Sequence, residues 1–173
     1  RRDAGGLFRL SVDRSFTLPG SGTIVTGAVF SGSVAVGDAF TIGPAGLPVR
    51  VRSIHAQNRA ASVGQAGQRC ALALHGLERG DVQRGDVITD AGAAPLSRHI
   101  DIELQPLARL PARGGRVGVH LGTAQLAARL TRSGRFARLA FAHEVSACQG
   151  DRLLIRDPGT QRLAGAGTVA DPL

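Results

Sequence analysis

Residues 12–27 read V-D-R-S-F-T-L-P-G-S-G-T-I-V-T-G, and this stretch decides the fold. Apolar and polar side chains alternate as far as Pro19-Gly20, which marks a turn, and a β-branched apolar run follows. The pattern predicts two strands joined by a tight turn. The buried face of the first strand is predicted to carry Phe8, Leu10, Val12 and Phe16. Arg14 has the parity of that face, where an unpaired arginine is costly, so we expect it beside an anion, a β-bulge or an open pocket.

The same kind of pattern continues along the 173 residues. Short alternating runs bounded by Gly and Pro recur about every eight to twelve residues, which is the spacing of a barrel or sandwich. In the first half, the inward positions are predicted to include Val49, Val51, Ser53, Cys70, Leu72 and Leu74. Residues 90–95 resemble a short linker, and clean alternation resumes after them. The sequence therefore predicts an all-β fold of two consecutive β-barrels, 1–92 and 93–173.

All of the 21 basic residues are arginine, and they outnumber 13 acidic residues to give a net charge of +8. This excess favours a polyanionic partner, RNA above all. Four arginines surround a predicted two-residue hairpin turn at Ser133-Gly134, namely Arg129, Arg132, Arg135 and Arg138. With that turn, Arg129 would lie opposite Arg138, and opposed like charges destabilise a sheet unless something neutralises them. A phosphate backbone or an acidic patch on another domain would do so, and a well-solvated hairpin is the remaining interpretation.

Several kinds of site are not predicted. The two cysteines, Cys70 and Cys148, form no C-x-x-C pair, and the five histidines are scattered singly, so neither a metal site nor a disulfide framework is indicated. No nucleophile–base or paired-acid arrangement indicates catalysis by this chain. No apolar run has the length of a signal peptide or a membrane span. Because the sequence contains no Met, we expect the chain to lie inside a longer, cytoplasmic polypeptide.

The string G-S-G-T-I-V-T-G, following V-D-R-S-F, resembles the opening of the second-domain β-barrel of elongation-factor-Tu-type translational GTPases. Residues 49–59, 66–76 and 84–88 resemble the rest of that domain, and residues 153–169 resemble the end of the third domain. In this family the second-domain barrel holds the aminoacylated end of a tRNA. No G-x-x-x-x-G-K-[ST] loop occurs, so GTP hydrolysis is not expected from these residues.

Within this family, V-D-R, A-G-Q-R and H-A-Q-N are similar to the selenocysteine-specific elongation factors. In the general factor the position matching Arg14 is an acid and the one matching Arg69 is an amide. The resemblance implies an aminoacyl-tRNA-binding site formed by Asp13, Arg14, Phe16, Thr26 and Arg69. The two arginines would attract an ionised selenol. Asp13 would either hold a guanidinium in place or accept a hydrogen bond from the α-amino group.

The resemblance also implies partners and cofactors. The partners would be selenocysteinyl-tRNA, the ribosome and the GTPase domain of the parent protein, with no membrane partner. GTP and Mg²⁺ would bind to that GTPase domain, and no cofactor is expected on this chain. A second hypothesis is a structural module of another translational GTPase, which docks its GTPase domain or the ribosome. Discrimination of the charged aminoacyl group would separate the two hypotheses.

Overall fold

The computed structural model describes residues 5–20, 22–78, 80–93, 95–108, 110 and 114–172. Over these residues every helix or strand element is a β-strand, and the chain divides into two compact units, Arg1–Ala94 and Pro95–Leu173. The prediction of an all-β fold with two barrels is confirmed. The sequence placed the boundary at 92/93, and the structure divides the chain two residues later.

The first unit contains nine strands: β1 (Arg9–Leu18), β2 (Gly22–Ser31), β3 (Ser33–Ala35), β4 (Ala39–Gly43), β5 (Leu47–Ala56), β6 (Arg59–Ala61), β7 (Val63–Gln65), β8 (Arg69–His75) and β9 (Val87–Thr89). Six of them form a barrel in the order β4-β9-β1-β2-β8-β5, which the pairing of β4 with β5 closes. The short strand β6 pairs antiparallel with the end of β5, and β3 pairs with β7 in a separate two-stranded sheet. The sequence analysis did not predict this small sheet, because each of its strands has only three residues.

The second unit contains six strands: β10 (Leu96–Pro106), β11 (Gly115–Leu121), β12 (Ala124–Ser133), β13 (Phe136–Ser146), β14 (Arg152–Arg156) and β15 (Leu163–Asp171). They form a closed barrel in the order β10-β13-β12-β11-β14-β15. Closure leaves no free sheet edge, and side chains alternate between the interior and the outer surface. Ile100, Leu130 and Ile155 are among the fully buried side chains of its core.

A β-bulge lies in the middle of β1. Val12 pairs with Gly27 and Arg14 pairs with Thr26, so that Asp13 is the extra residue. The bulge requires glycine at position 27, because a Cβ atom there would lie 2.1 Å from the backbone oxygen of Ser11. It also turns Arg14 outward, where the side chain is exposed. Of the three environments expected for Arg14, the bulge is confirmed.

Bulges also explain why strict alternation placed some side chains on the wrong face of their strand. Phe8, Leu10 and Val12 are buried as predicted, but Phe16, beyond the bulge, is 42% exposed. On β5 the register shifts between Val51 and Ser53, so Ile54 is buried and Ser53 is exposed, which reverses the prediction for these two residues. One extra residue moves every following side chain to the opposite face.

Replacing Gly27 by Ala should destabilise the first unit by about 1–3 kcal/mol or more, because the methyl group has no space beside β1 and the strands must separate. Urea unfolding of the chain measures this change. Gly118→Ala is the matched control, because its new Cβ would meet atoms only at 3.7 Å. Equal stability of the two variants would contradict the close approach of β1 and β2.

Candidate nucleic-acid interface

Three predicted site residues form one hydrogen-bonded cluster on the outer face of the first barrel. Arg69 donates from Nε to Asp13 Oδ2 at 3.0 Å and from Nη2 to Asp13 Oδ1 at 2.8 Å. Arg69 Nη2 also lies 3.0 Å from Thr26 Oγ1, and the Thr26 hydroxyl donates to Asp13 Oδ1. A two-point contact of this kind fixes a guanidinium in orientation as well as position. The bulge at Asp13, β2 and the first residue of β8 together place these side chains.

The charges in the cluster stabilise one another. Burial is the largest single influence on Asp13 and opposes its ionisation, but hydrogen bonds from Arg69 and Thr26 and the charges of Arg69 and Arg14 together lower its pKa below the ordinary value of 3.8. The hydrogen bond to Asp13 in turn raises the pKa of Arg69. Asp13 and Arg69 are therefore both ionised at neutral pH.

Arg14 and Phe16 lie next to this cluster on the exposed end of β1. Arg14 is directly opposite Thr26, and Phe16 is directly opposite Ile24 on β2. The Arg14 side chain is exposed and forms no hydrogen bond or ion pair with the part of the chain that the structure describes. The structure thus brings a fixed arginine, a free arginine and an exposed aromatic ring to one face. Two arginines against one carboxylate leave a single positive charge in excess on this face.

Strand register adds residues that the sequence analysis missed. Thr26 pairs with Ala71 on β8, and Ala71 pairs with His55 on β5, so that one row runs from Arg14 to His55 across four strands. Because the side chain of Ala71 is small, this row projects less there than at Thr26 or at the exposed His55. The sequence alone could not reveal the row, because its members are far apart in the chain and meet only through strand pairing.

In the second barrel the structure corrects the predicted arginine hairpin. The turn is Gly134-Arg135, with Ser133 paired to Phe136, so it lies one residue later than predicted and each cross-strand partner shifts by two residues. Arg132 consequently pairs with Ala137 and Arg129 pairs with Ala140. Arg129 and Arg138 do not oppose each other. Glycine at 134, with a φ of 61°, suits the first position of this two-residue turn.

Two of the four hairpin arginines already have partners. Arg138 donates from Nε and Nη2 to the two carboxylate oxygens of Asp101 at 2.7 and 2.6 Å. This contact is the main reason that the pKa of Asp101 is lowered. Arg135 lies 3.9 Å from Glu103 and stacks on the ring of Phe136 at 4.9 Å. Arg129 and Arg132 are exposed and form no hydrogen bond or ion pair with the described residues.

Other kinds of site find no support over the described residues. They contain no group of three His, Cys, Asp or Glu side chains that could hold a metal ion. A search of the same residues for a helix long and apolar enough to cross a membrane gave none. Cys70 is a buried free thiol packed against Gly64, and burial raises its pKa.

Two family models match the chain. The model described as "Elongation factor Tu domain 2" matches residues 22–89, and the one described as "Selenocysteine-specific elongation factor, beta-barrel domain" matches residues 97–173. The first range contains Thr26 and Arg69, and the second contains all four hairpin arginines.

Curated relatives extend the similarity over nearly the whole chain. The selenocysteine-specific elongation factor of Escherichia coli K12 is 36% identical over 94% of this chain, and that of Desulfomicrobium baculatum is 31% identical over 96%. The chain spans 27% and 28% of the length of these two relatives. Elongation factor Tu 2 of Streptomyces avermitilis is 33% identical over 63% of the chain and 27% of its own length.

Solved structures have the same fold. The apo form of translation elongation factor SelB from Methanococcus maripaludis matches 99% of this chain and 43% of its own, with a TM-score of 0.85 and 22% identity. A bacterial selenocysteine-specific elongation factor, EF-Sec, matches 95% of this chain and 28% of its own, with a TM-score of 0.84 and 24% identity.

Two closed barrels with these matches define the class of protein: the chain consists of barrel domains of an elongation-factor-Tu-type translation factor. The family model that matches residues 97–173 and the relatives that cover both barrels narrow this class to one family. The chain belongs to the family of selenocysteine-specific elongation factors. The resemblance identified from its sequence strings is confirmed.

Removing the Arg69 guanidinium should raise the pKa of Asp13, because burial still opposes ionisation while two donors are lost. Carbon-13 NMR titration of the Asp13 carboxyl group in Arg69→Gln measures this shift. Arg52→Gln, which removes an exposed arginine from β5, should leave the pKa unchanged. An unchanged pKa in Arg69→Gln would contradict the hydrogen-bonded pair.

The same pair sets a pH dependence of stability. The pKa of Asp13 is lower in the folded chain than its ordinary value of 3.8, so the pair stabilises the fold fully above that value. Its contribution is lost as the pH falls through the lower folded pKa. The unfolding free energy of Asp13→Asn should therefore lie below that of the unmodified chain at pH 6, by about 1 kcal/mol or less, and the difference should vanish in acid. A difference in unfolding free energy that grows as the pH falls would contradict this predicted pH dependence.

Proposed function

We propose that the first barrel holds the selenocysteinyl end of its tRNA, so that a GTP-dependent factor can deliver it to the ribosome in the cytoplasm. One observation carries the proposal. In a chain of this family, Asp13 fixes Arg69 in orientation while the adjacent Arg14 makes no hydrogen bond or ion pair with the described residues. The site thus offers one positioned cation and one adaptable cation to an incoming anion.

The chemistry of selenocysteine suits this arrangement. A selenol ionises more readily than a thiol or hydroxyl, so selenocysteine carries a negative charge near neutral pH, whereas serine, the residue its tRNA first carries, is neutral. Opposite charges about 4 Å apart gain about 4 kcal/mol at an effective dielectric of about 20, before desolvation is subtracted. Serine would leave both arginines poorly compensated, and this difference provides the selectivity.

The contacts favour one of the two roles considered for Asp13. Both of its carboxylate oxygens accept hydrogen bonds from Arg69, and Oδ1 also accepts one from Thr26. Holding the guanidinium of Arg69 is therefore its better-supported role, ahead of accepting from the α-amino group. Arg69 Nη1 makes no hydrogen bond to the described residues, so its two N–H groups remain for the ligand.

Phe16 and Thr26 complete the proposed site at the tRNA end. Phe16 is 42% exposed on the strand that carries Arg14, and an exposed aromatic ring provides a stacking surface for a nucleotide base. Thr26 is 8% exposed and bridges Asp13 and Arg69, so it positions the cluster. Both assignments rest on matching family positions as well as on these contacts.

The tRNA backbone is proposed to contact the second barrel through its hairpin arginines. Arg129 and Arg132 are exposed and have no partner among the described residues, so they support this role best. Arg135 and Arg138 are held by Glu103 and Asp101, which reduces the charge they can offer to phosphate. GTP, Mg²⁺, the ribosome and the GTPase domain are proposed as ligands and partners of the longer parent protein.

Arg14→Ala should selectively weaken binding of selenocysteinyl-tRNA, by up to about a hundredfold, and change binding of the seryl form much less. The attraction is to an ionised side chain, and a partly desolvated charge pair contributes about 1.5–3 kcal/mol. The measurement is the affinity of each aminoacyl form, or protection of its ester bond from hydrolysis, in the longer factor with GTP. Arg69→Ala should also weaken binding of selenocysteinyl-tRNA more than binding of the seryl form, and it removes the hydrogen bonds that Arg69 donates to Asp13.

Arg52→Ala provides the matched control, because it removes an exposed arginine of the same barrel from β5, two strands away from β2. Equal losses for both aminoacyl forms in Arg14→Ala would assign the arginine to the nucleic acid. Unchanged affinity for both forms would favour the alternative, a module that docks the GTPase domain or the ribosome.

A further inference from the structure

The connection between β8 and β9 contains the sequence R-G-D twice, at residues 79–81 and 84–86. Each of the two aspartates closes a turn. The Gln83 N–H donates to Asp86 Oδ2 at 2.8 Å, and the Asp86 N–H donates to the Gln83 backbone oxygen at 3.2 Å. Glu78 and Asp81 form the same two hydrogen bonds, at 2.6 and 3.3 Å. In both places the motif therefore forms a turn in which the last side chain caps the first N–H group.

The same pair of hydrogen bonds closes three further turns of the chain. In each of them a glycine with positive φ directly precedes the residue whose side chain accepts the hydrogen bond. These turns join Ala35 to Asp38, Gln65 to Gln68, and Cys148 to Asp151.

The turn at Asp86 also binds β1 at the start of the bulge. The Gly85 N–H donates to the Val12 backbone oxygen at 3.0 Å, and the Val12 N–H donates to the Asp86 backbone oxygen at 2.9 Å. The turn thus occupies both backbone groups of Val12, and the next residue, Asp13, is the extra residue of the bulge. We call these two hydrogen bonds to one valine a turn clamp.

A turn clamp precedes a bulge at three other places. In each of them the turn glycine and the capping residue bind one valine, and the strand register skips the residue after that valine. The clamped valines and the extra residues that follow them are Val29 and Phe30, Val51 and Arg52, and Val169 and Ala170. Asp81 differs, because its hydrogen bonds to the described residues all involve Glu78. The chain therefore contains the same turn with a clamp and without one.

We propose that Asp86 is a positioning residue of the aminoacyl site, which fixes the Asp13 bulge through the backbone of Val12. The inference rests on the proposed function and deepens it. Both carboxylate oxygens of Asp13 accept hydrogen bonds from Arg69, and a two-point contact of this kind requires a fixed direction for each side chain. The direction of Arg14 depends on the same bulge, because one residue of register reverses the face of every following side chain.

The turn needs a hydrogen-bond acceptor at position 86 and does not need a charge there. Gln68 closes its clamped turn with a neutral amide oxygen. Asp86 is partly buried, and burial raises its pKa although the hydrogen bond from the Gln83 backbone opposes the rise. A neutral acceptor is therefore accommodated at least as well as a carboxylate. Asp86→Asn should keep the turn closed, whereas Asp86→Ala should open it.

The first test is a carbon-13 NMR titration of the Asp13 carboxyl group in the 173-residue chain. Asp86→Ala should raise the pKa of Asp13, because a displaced bulge weakens the hydrogen bonds from Arg69 and Thr26. Loss of the Asp86 charge alone would lower the pKa of Asp13, so a rise reports geometry. Asp86→Asn should leave this pKa unchanged or slightly lower.

Asp81→Ala is the matched control, because it removes the same capping bond from the turn that has no clamp, and it should leave the pKa of Asp13 unchanged. Should Asp86→Ala not fold, Asp86→Glu keeps the charge and moves the acceptor by one methylene, so it should give a smaller rise. An unchanged pKa of Asp13 in the folded Asp86→Ala or Asp86→Glu chain would overturn the proposal. A rise of equal size in Asp81→Ala would do the same.

The second test measures binding in the longer factor with GTP. Asp86→Ala should weaken binding of selenocysteinyl-tRNA by about three- to tenfold, since hydrogen bonds of the site are weakened, and Asp86→Asn should restore it. A raised Asp13 pKa with unchanged affinity would overturn the role of Asp86 in binding. The titration contains no tRNA, so its result is independent of the proposed function. Failure of that function would instead appear as unchanged affinity in Arg14→Ala.

Discussion

The close approach of β1 and β2 at Gly27 is the constraint on which the first barrel and its site depend. The missing side chain at Gly27 lets the backbone of Ser11 pass at a distance that any Cβ would block. This approach accommodates the bulge at Asp13, and the bulge directs Asp13 and Arg14 to the outer face. Asp13 then meets Arg69, which comes from β8 on the far side of β2. A glycine thus determines the position of charged groups that it does not contact.

The excess positive charge is divided between arginines that a carboxylate holds in place and arginines that no carboxylate binds. Asp13 holds Arg69 and Asp101 holds Arg138, each through two hydrogen bonds. Pairs of this kind on a surface contribute little to stability but fix geometry. Arg14 is left next to a fixed pair and Arg129 is left opposite another arginine, so the uncompensated charge is concentrated on two separate faces. A surface with such local excess suits anionic ligands better than the net charge alone indicates.

Both barrels position surface residues by closing a sheet of six strands. Each closes six strands around an apolar core, so the six barrel strands need no further partner to cover a sheet edge. Closed barrels provide a rigid outer surface on which residues distant in sequence lie side by side. The row from Arg14 to His55 and the row from His99 to Arg116 are both built in this way, across four strands each.

The sequence by itself determined the strand content, the two-barrel organisation and the family, because alternation, turn residues and whole strings of matching residues are local properties. It also singled out Arg14 as a residue that violates its strand pattern. Tertiary structure decided which arginines are free, because pairing depends on register. One bulge residue at Asp13 turned Phe16 outward, and a turn one residue later than predicted, at Gly134-Arg135, shifted the hairpin partners by two residues. The bulge reverses the face of the side chains that follow it, whereas the moved turn keeps their faces and changes their cross-strand partners, and alternation alone can locate neither.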